Sequence, residues 1–219
     1  VLSENRKKIK RKKKNKFFKS LISKKILNKL PFELTKSQIN VLNEIDKDLK
    51  SNTRMFRIIQ GDVGSGKTIV SLLAISNVIE SKYQCALMAP TEILARQHFN
   101  LAKKIFLNTK IKIEFLTGKT EIKTKKKIIN DLENGNLDIV IGTHSLFQKK
   151  IKFKNLGLAI IDEQHKFGVK QRTELATKGG SNCDVLLMSA TPIPRTMMMS
   201  LYGDMDISKI LEKPSKRKK

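Results

Sequence analysis

The stretch Gly61-Asp-Val-Gly-Ser-Gly-Lys67-Thr68 follows the spacing G-x-x-x-x-G-K-[ST] of a phosphate-binding loop. The apolar run Met55–Gln60 before it predicts a short buried strand, and residues 67–81 after it predict a helix. A strand, a glycine loop and a helix N-terminus together form an anion site, because backbone N–H groups can turn toward a polyphosphate. The stretch therefore predicts a nucleoside triphosphate site made of Gly61, Asp62, Val63, Gly64, Ser65, Gly66, Lys67 and Thr68.

Two carboxylates, Asp162 and Glu163, follow the apolar strand predicted at residues 156–162. Together with the phosphate loop they predict a hydrolytic site in which Thr68 and Asp162 hold Mg²⁺. In this interpretation Lys67 reaches the β and γ phosphates, and Glu163 orients and deprotonates the attacking water. An acidic pair at a strand end can also be an ordinary cap or turn, and it is the phosphate loop that favours the catalytic interpretation.

Apolar strands and amphipathic helices alternate along the chain from Pro31 onward. Short all-apolar strands between helices predict an α/β fold with a mostly parallel sheet and helices on both faces. The predicted strands are Met55–Gln60, Cys85–Ala89, Ile111–Leu116, Asp138–Gly142, Leu156–Asp162 and Asp184–Ser189. The predicted helices lie near residues 36–49, 67–81, 92–107 and 121–134, after a basic helical segment in residues 1–30.

The segment Ser189-Ala-Thr-Pro-Ile-Pro-Arg-Thr196 follows the last of these strands. Its two prolines could form a rigid loop, but Ser-Ala-Thr beside Asp-Glu-x-His is the third motif of superfamily 2 helicases. Over roughly residues 31–214 the chain resembles the RecG family of bacterial DNA helicases. The transcription-repair coupling factor typically has Asp-Glu-Glu-His where this chain has Asp162-Glu-Gln-His165. The replication restart helicase PriA lacks the Pro-Ile-Pro-Arg run. The resemblance rests on Gly61–Thr68, Ala89–His98, Ile141–Leu146, Asp162–Gly168 and Ser189–Thr196.

This resemblance implies a RecA-like P-loop NTPase domain at residues 31–212 and a role for each matching residue. Gln38 is the candidate for binding adenine, although Thr35 could instead cap a helix that leaves Gln38 exposed. The implied catalytic residues are Lys67, Glu163, Gln164 and His165, and the residues that couple ATP to DNA movement are Ser189, Thr191 and Arg195. The implied DNA contacts are Thr91, Arg96, Gln97, Gly118, Thr143 and His144. Arg96 could instead be a solvated charge and His165 a structural histidine.

The implied activity is that of an ATP-dependent DNA helicase that uses ATP and Mg²⁺. Its implied partner is branched DNA, such as forks and Holliday junctions, in branch migration, fork reversal, recombination and repair. We expect a monomer in the bacterial cytoplasm. A coupling-factor-like translocase and a non-catalytic basic nucleic-acid-binding fragment remain alternatives. A P-loop kinase or a signalling GTPase is disfavoured, since the chain lacks a guanine-binding Asn-Lys-x-Asp segment and its Asp-Glu-Gln-His run favours an ATPase.

The formal net charge of +25 is typical of proteins that bind nucleic acid, but this charge is distributed unevenly along the chain. Residues 1–30 contain 13 Lys or Arg against the single acid Glu4. The chain also has 25 Ile and 14 Asn but only 8 Ala, a bias that an AT-rich genome imposes on any protein. Positive charge is therefore only weak support for a polyanionic partner.

The chain begins with Val1 and ends in a basic tail at residues 213–219, which leads us to expect a piece of a longer protein. On the family resemblance, a wedge domain and a second motor lobe are missing, so we expect weak ATP–Mg²⁺ binding and barely any hydrolysis. Cys85 and Cys183 sit in apolar runs and are expected to be small buried residues. No apolar run approaches the roughly 20 residues of a membrane span.

Overall fold

The computed structural model of the chain describes residues 12–148, 150–163, 180–191 and 205–212. Its strands are β1 (Phe56–Gly61), β2 (Gln84–Met88), β3 (Ile113–Leu116), β4 (Ile139–Gly142), β5 (Leu156–Ile161), β6 (Asp184–Ser189) and β7 (Asp206–Ile210). They form one seven-stranded sheet in the order β3-β4-β2-β5-β6-β1-β7. Every pair of neighbouring strands is parallel, as the sequence predicts for strands separated by helices.

Five α-helices lie in the described part of the chain. They are α1 (Leu21–Lys29), α2 (Lys36–Lys50), α3 (Lys67–Glu80), α4 (Glu92–Ile105) and α5 (Ile122–Asn134). A 3₁₀ turn at His144–Phe147 follows β4, and another at Gly180–Asn182 precedes β6. The helices agree with the predicted positions to within two residues at most ends.

The central strands are buried along their whole length, which explains their continuous apolar sequences. Successive side chains of β5 point to opposite faces: Leu158 and Ile160 join one core, and Ala159 and Ile161 join the other. The first core packs under α1, α2, α3 and α4, and the second packs under α5 through Ile128 and Leu132. The predicted α/β fold with helices on both faces is therefore confirmed.

Strand β7 is the one strand in the described residues that the sequence reading missed. It pairs with β1 at the edge of the sheet, and its burial alternates along Asp206–Ile210. An edge strand of this kind carries polar residues at its exposed positions and so lacks the continuous apolar run that marks the buried strands.

The prediction of a basic helix over residues 1–30 is wrong for the described residues that precede Leu21. Residues 12–19 contain no helix, and Lys12 forms an antiparallel bridge with Thr53. The side chains of Lys13 and Lys16 are fully buried, and both ammonium groups lie within 2.7 Å of Asp184 Oδ2. Two of the lysines that could have served a polyanionic partner are therefore buried against a carboxylate inside the protein.

Helix α1 begins only at Leu21 because a carboxylate from α3 caps it. Glu80 accepts hydrogen bonds from the backbone N–H groups of Lys19 (2.6 Å) and Leu21 (2.8 Å). Ser20 has a left-handed backbone with φ 57°, which breaks any continuous helix at this point. The helical spacing of apolar residues does not reveal such a tertiary cap.

Both cysteines are buried free thiols, as the sequence predicts. Cys85 lies on β2, and Cys183 immediately precedes β6. Burial raises the pKa of the Cys183 thiol to about 12 and raises the pKa of Cys85 well above its ordinary value. Both thiols therefore stay protonated and unreactive at neutral pH.

Candidate functional site

The segments singled out by sequence follow strands that end side by side at the carboxyl edge of the sheet. Gln60 of β1 pairs with Ser189 of β6, and Met88 of β2 lies between Gly142 of β4 and Ile161 of β5. Parallel α/β sheets collect ligands at this edge. The parallel topology therefore gathers there the phosphate loop, the Asp162–Glu163 pair, the Ser189–Thr191 turn and the loops that begin at Thr91 and Thr143.

The phosphate loop turns through two glycines with positive φ, Gly64 (82°) and Gly66 (86°). The Ser65 N–H donates to the Asp62 carbonyl at 3.1 Å, which closes the turn. Gly66 is the N-cap of α3, so the unpaired N–H groups of the first helical turn open toward the loop. Residues other than glycine rarely adopt these φ values, which explains the glycine spacing.

The side chain of Gln38 is hydrogen-bonded to the backbone of the phosphate loop. Its Nε2–H donates to the Ser65 carbonyl at 2.8 Å, and its Oε1 accepts the Thr35 N–H at 2.9 Å. Thr35 is the N-cap of α2, as the alternative interpretation expects, but Gln38 is only 1% exposed and completes a capping box. The expectation of an exposed glutamine is therefore wrong, and binding of adenine by Gln38 stays a prediction.

Lys67 folds back over the loop. Its Nζ donates to the carbonyl oxygens of Gly61 at 2.5 Å and Asp62 at 3.0 Å. Burial lowers the pKa of the Lys67 ammonium, and the nearby carboxylates of Asp162 and Glu163 oppose that shift. A partly desolvated ammonium within the loop is well placed to pair with a phosphate oxygen.

Asp162 leaves β5 with both carboxylate oxygens already hydrogen-bonded. Oδ1 accepts the Glu163 N–H at 2.9 Å, and Oδ2 lies 2.6 Å from Nε2 of His98 on α4. Glu163 has a left-handed backbone with φ 47°, which is uncommon outside glycine and is often found at functional sites. The two hydrogen bonds thus fix the orientation of the Asp162 carboxylate, and the left-handed backbone turns the chain at Glu163.

These residues fit a magnesium–nucleotide complex. Inward N–H groups and the Lys67 ammonium suit phosphates, and the Thr68 hydroxyl and the Asp162 carboxylate are oxygen ligands of the kind Mg²⁺ prefers. The buried Ser65 Oγ makes no hydrogen bond within the described part of the chain, which leaves one further polar atom in the loop available to a ligand.

The turn after β6 is closed by hydroxyl groups. Ser189 Oγ donates to the Thr191 carbonyl at 3.0 Å and accepts the Thr191 N–H at 3.3 Å. Ser189 lies beside Gln60 on β1, whose next residue, Gly61, opens the phosphate loop. The turn that contains Ser189 and Thr191 therefore lies next to the start of the phosphate loop.

Helix α4 presents the first predicted nucleic-acid contacts. Thr91 caps the helix, its Oγ1 accepting the Leu94 N–H at 3.3 Å, and Gln97 is exposed. Arg96 is exposed, and its guanidinium carbon lies 3.7 Å from the centroid of the Phe115 ring, so the cation contacts this ring while it also faces solvent. The guanidinium N–H groups remain available to an anion.

Two further loops complete this surface. In the described structure Gly118 has open space around it, and His144 is exposed on the 3₁₀ turn after β4. Thr143 is buried, with its Oγ1 3.5 Å from Ser145 Oγ, so its hydroxyl faces the protein more than the solvent. Ser145 in turn donates to the Leu116 carbonyl at 3.1 Å, which ties the turn after β4 to the end of β3.

A protein-family model described as DEAD/DEAH box helicase matches residues 35–200. The chain belongs to this helicase family. It is 49% identical over 195 residues to the ATP-dependent DNA helicase RecG of Aquifex aeolicus, a match that covers 89% of the chain and 25% of that protein. It is also 49% identical over 197 residues to the RecG helicase of Thermotoga maritima, covering 90% of the chain and 25% of that protein.

A solved structure of RecG bound to a three-way DNA junction superposes on this helicase-family chain with a TM-score of 0.84. The two are 42% identical, and the match covers 99% of this chain and 29% of that one. The resemblance to RecG that the motifs predict is confirmed by these matches. The chain spans 25% of the length of each of the two curated relatives.

Some residues implied by the helicase resemblance lie outside the described part of the structure. These are Gln164, His165 and Arg195. Their roles stay predictions, and the basic tail at residues 213–219 also lies outside the described residues. Among the described residues, no helix is both long and apolar enough to cross a bilayer.

His98 is the residue at this helicase site to which sequence reasoning gave no role. It stands in the Ala89–His98 segment, but its partner Asp162 is 64 residues away. The one available signal is helical periodicity: His98 lies three residues after Ala95 and four before Ala102, both buried, so it falls on the inward face of α4.

Proposed function

We propose that this chain is the ATP-binding motor lobe of an ATP-dependent DNA helicase. The observation that carries the proposal is the convergence of the phosphate loop, the Asp162–Glu163 pair and the Ser189–Thr191 turn at one edge of the sheet. The loops bearing Thr91, Gly118 and His144 follow strands that end at the same edge. Nucleotide and nucleic acid would then act on neighbouring loops of one rigid sheet.

In this function the loop residues, Lys67 and Thr68 bind the triphosphate, and Thr68 and Asp162 hold Mg²⁺. The bound ATP–Mg²⁺ supplies the phosphoanhydride bond whose hydrolysis drives movement. Glu163 orients the attacking water and accepts its proton, since a carboxylate next to the metal ligand can act as a general base. Gln164, His165 and the Ser189–Arg195 segment pass the nucleotide state to the surface that contacts DNA.

The proposed partner is branched DNA, and the proposed roles are branch migration, fork reversal, recombination and repair. Support comes from the 42% identical RecG structure, which is bound to a three-way DNA junction. The candidate contacts suit DNA of any sequence, because the Thr91 hydroxyl, the exposed backbone of Gly118 and the Arg96 guanidinium are groups that bind phosphates without reading base edges. We further propose that the protein works as a monomer in the bacterial cytoplasm.

The experiment that tests this function is Glu163→Gln in the intact protein, with a branched DNA substrate. Glutamine keeps the size of the side chain but cannot accept a proton, so ATP should stay bound and unwinding should be lost. Glu133→Gln, on the exposed face of α5, is the matched control and should unwind DNA like the parent protein. Unwinding by Glu163→Gln at the parent rate removes Glu163 from this role.

Lys67→Ala separates a motor from a non-catalytic basic fragment. A motor should lose nucleotide binding and DNA-stimulated hydrolysis when the lysine is removed. If Lys67→Ala leaves every measurable activity unchanged, the non-catalytic alternative is correct.

A further inference from the structure

The buried contact between His98 and Asp162 joins two elements that the proposed function uses for different purposes. His98 belongs to α4, which carries the candidate DNA contacts, and Asp162 follows β5 as the candidate Mg²⁺ ligand. The two side chains are 9% and 10% exposed, and Nε2 lies 2.6 Å from Oδ2. A hydrogen bond this short and this sheltered from water restrains both partners.

The contact between His98 and Asp162 restricts the orientation of the Asp162 carboxylate. With Oδ2 bonded to the His98 ring and Oδ1 bonded to the Glu163 N–H, rotation about the last side-chain bond would break one hydrogen bond or both. Each carboxylate oxygen accepts more than one hydrogen bond, so lone pairs remain for a cation or for its bound water. Groups that orient a metal-binding carboxylate in this way commonly change metal affinity 10- to 100-fold when they are removed.

One turn of helix α4 carries both a buried residue and exposed residues. His98 points into the protein, whereas Arg96 and Gln97 are exposed. The N-terminal end of α4 follows β2, and Met88 at the end of that strand accepts the Asp162 N–H at 2.8 Å. A displacement of α4 therefore moves the His98 ring directly against the Asp162 carboxylate.

We propose that His98 is a positioning residue that orients the Asp162 carboxylate for Mg²⁺ and ties the metal site to the DNA-facing helix α4. The proposal rests on the proposed function, because it takes Asp162 as the metal ligand and the outer face of α4 as a DNA contact. It assigns His98 no contact with substrate. Its effect on the metal passes through Asp162 alone.

The test is a Mg²⁺ titration of the binding of a fluorescent, non-hydrolysable ATP analogue to the intact protein. His98→Ala should raise the Mg²⁺ concentration needed for half-maximal binding by about 10-fold or more. Binding in EDTA should be unchanged, since the phosphate loop is intact. Asn100→Ala, exposed on the same helix, is the control and should match the parent protein.

Two conservative variants keep the test decisive if His98→Ala unfolds. The amide of His98→Gln reaches as far as the His98 Nε2 and should restore the Mg²⁺ dependence of the parent protein. The shorter amide of His98→Asn does not reach Asp162 Oδ2 and should leave the defect in place. Equal Mg²⁺ dependence in the Gln and Asn variants overturns the positioning role.

A second titration with a three-way DNA junction tests the link to α4. The junction should shift the half-maximal Mg²⁺ concentration in the parent protein and in His98→Gln, but not in His98→Ala. The same shift in all three proteins overturns the link. If instead the parent protein binds the analogue no better than Lys67→Ala does, the proposed function itself fails, a result distinct from any difference among the His98 variants.

Discussion

Gln38 on α2 and Ser65 in the phosphate loop are joined by a buried hydrogen bond of 2.8 Å, in which the Gln38 amide donates to the Ser65 carbonyl. The other end of the same amide accepts the Thr35 N–H and caps α2. One side chain thus holds the start of a helix and the middle of the loop in a fixed relation. The shape of the loop depends on a residue 27 positions earlier in the chain.

Replacing Gln38 should weaken both the cap of α2 and the contact with the phosphate loop. Gln38→Ala removes both hydrogen bonds and should lower the free energy of unfolding by about 1–2 kcal/mol, measured by urea denaturation. Gln38→Glu can still accept the Thr35 N–H, but it buries a carboxylate with one oxygen facing the Ser65 carbonyl, so it should be no more stable than Gln38→Ala and should also weaken nucleotide binding. A Gln38→Ala protein as stable as its parent would show that the capping box contributes nothing.

Asp184 should be among the most sensitive positions for stability. It holds the buried ammonium groups of Lys13 and Lys16 and accepts the Met55 N–H at 2.6 Å. Asp184→Asn leaves two buried cations without a counter-charge and should cost about 3–5 kcal/mol of unfolding free energy. Asp206→Asn, exposed at the start of β7, is the control and should change stability little. Similar denaturation midpoints for the two variants would contradict the buried ion cluster.

Asp46 should make the protein less stable as the pH rises through the weakly acidic range. Burial raises the pKa of its carboxyl from 3.8 to about 6, opposed by the Asn77 hydrogen bond and by Lys50. Because the folded state holds this proton more tightly than the unfolded state, the stabilisation is complete below about pH 4 and is lost as pH rises through about 6.

Asp46→Asn should remove this loss. The asparagine Oδ1 can keep the 2.8 Å hydrogen bond from Asn77 Nδ2 without burying a charge. The variant should be more stable than its parent at pH 7.5 by up to about 3 kcal/mol, with a smaller difference at pH 4. Thermal denaturation at both pH values measures the effect, and an equal change at the two pH values would rule out titration of Asp46 as the cause.

Arg96 should contribute to DNA binding as a phosphate contact. Arg96→Ala should weaken binding about equally for different sequences and reduce the slope of log affinity against log salt by about 1. Lys47→Ala removes an equal charge from the exposed side of α2 and should leave the slope unchanged. Equal effects of the two substitutions, or a flat salt response of the parent protein, would favour the compositional explanation of the positive charge.

The sequence was sufficient to predict strands β1 to β6 and the glycine turn of the phosphate loop, because these depend on local patterns, but it did not reveal the edge strand β7. Continuous apolar runs indicate strands buried on both faces, and the glycines at 64 and 66 match the positive φ values that the loop requires. The Asp162–Glu163 pair could be placed beside the loop because parallel strands end at a common edge.

What the sequence did not reveal are contacts between side chains distant along the chain. The partner of His98 is 64 residues away, and Asp184 lies 171 residues from Lys13. A buried lysine looks like a solvated one in a lysine-rich segment until its counter-charge is known. Likewise Glu80 ends the helical pattern at Ser20 by capping α1 from another helix.

The most direct test of the account is the affinity of the chain for a fluorescent ATP analogue in Mg²⁺, measured for the parent protein and for Lys67→Ala. Loss of the loop ammonium should weaken binding by about 100-fold, because charge-assisted contacts to phosphate contribute about 3 kcal/mol. Lys104→Ala, an exposed lysine on α4, should bind like the parent. Equal affinity of the parent protein and Lys67→Ala, with both folded, would contradict a nucleotide site at Gly61–Thr68 and with it the motor function.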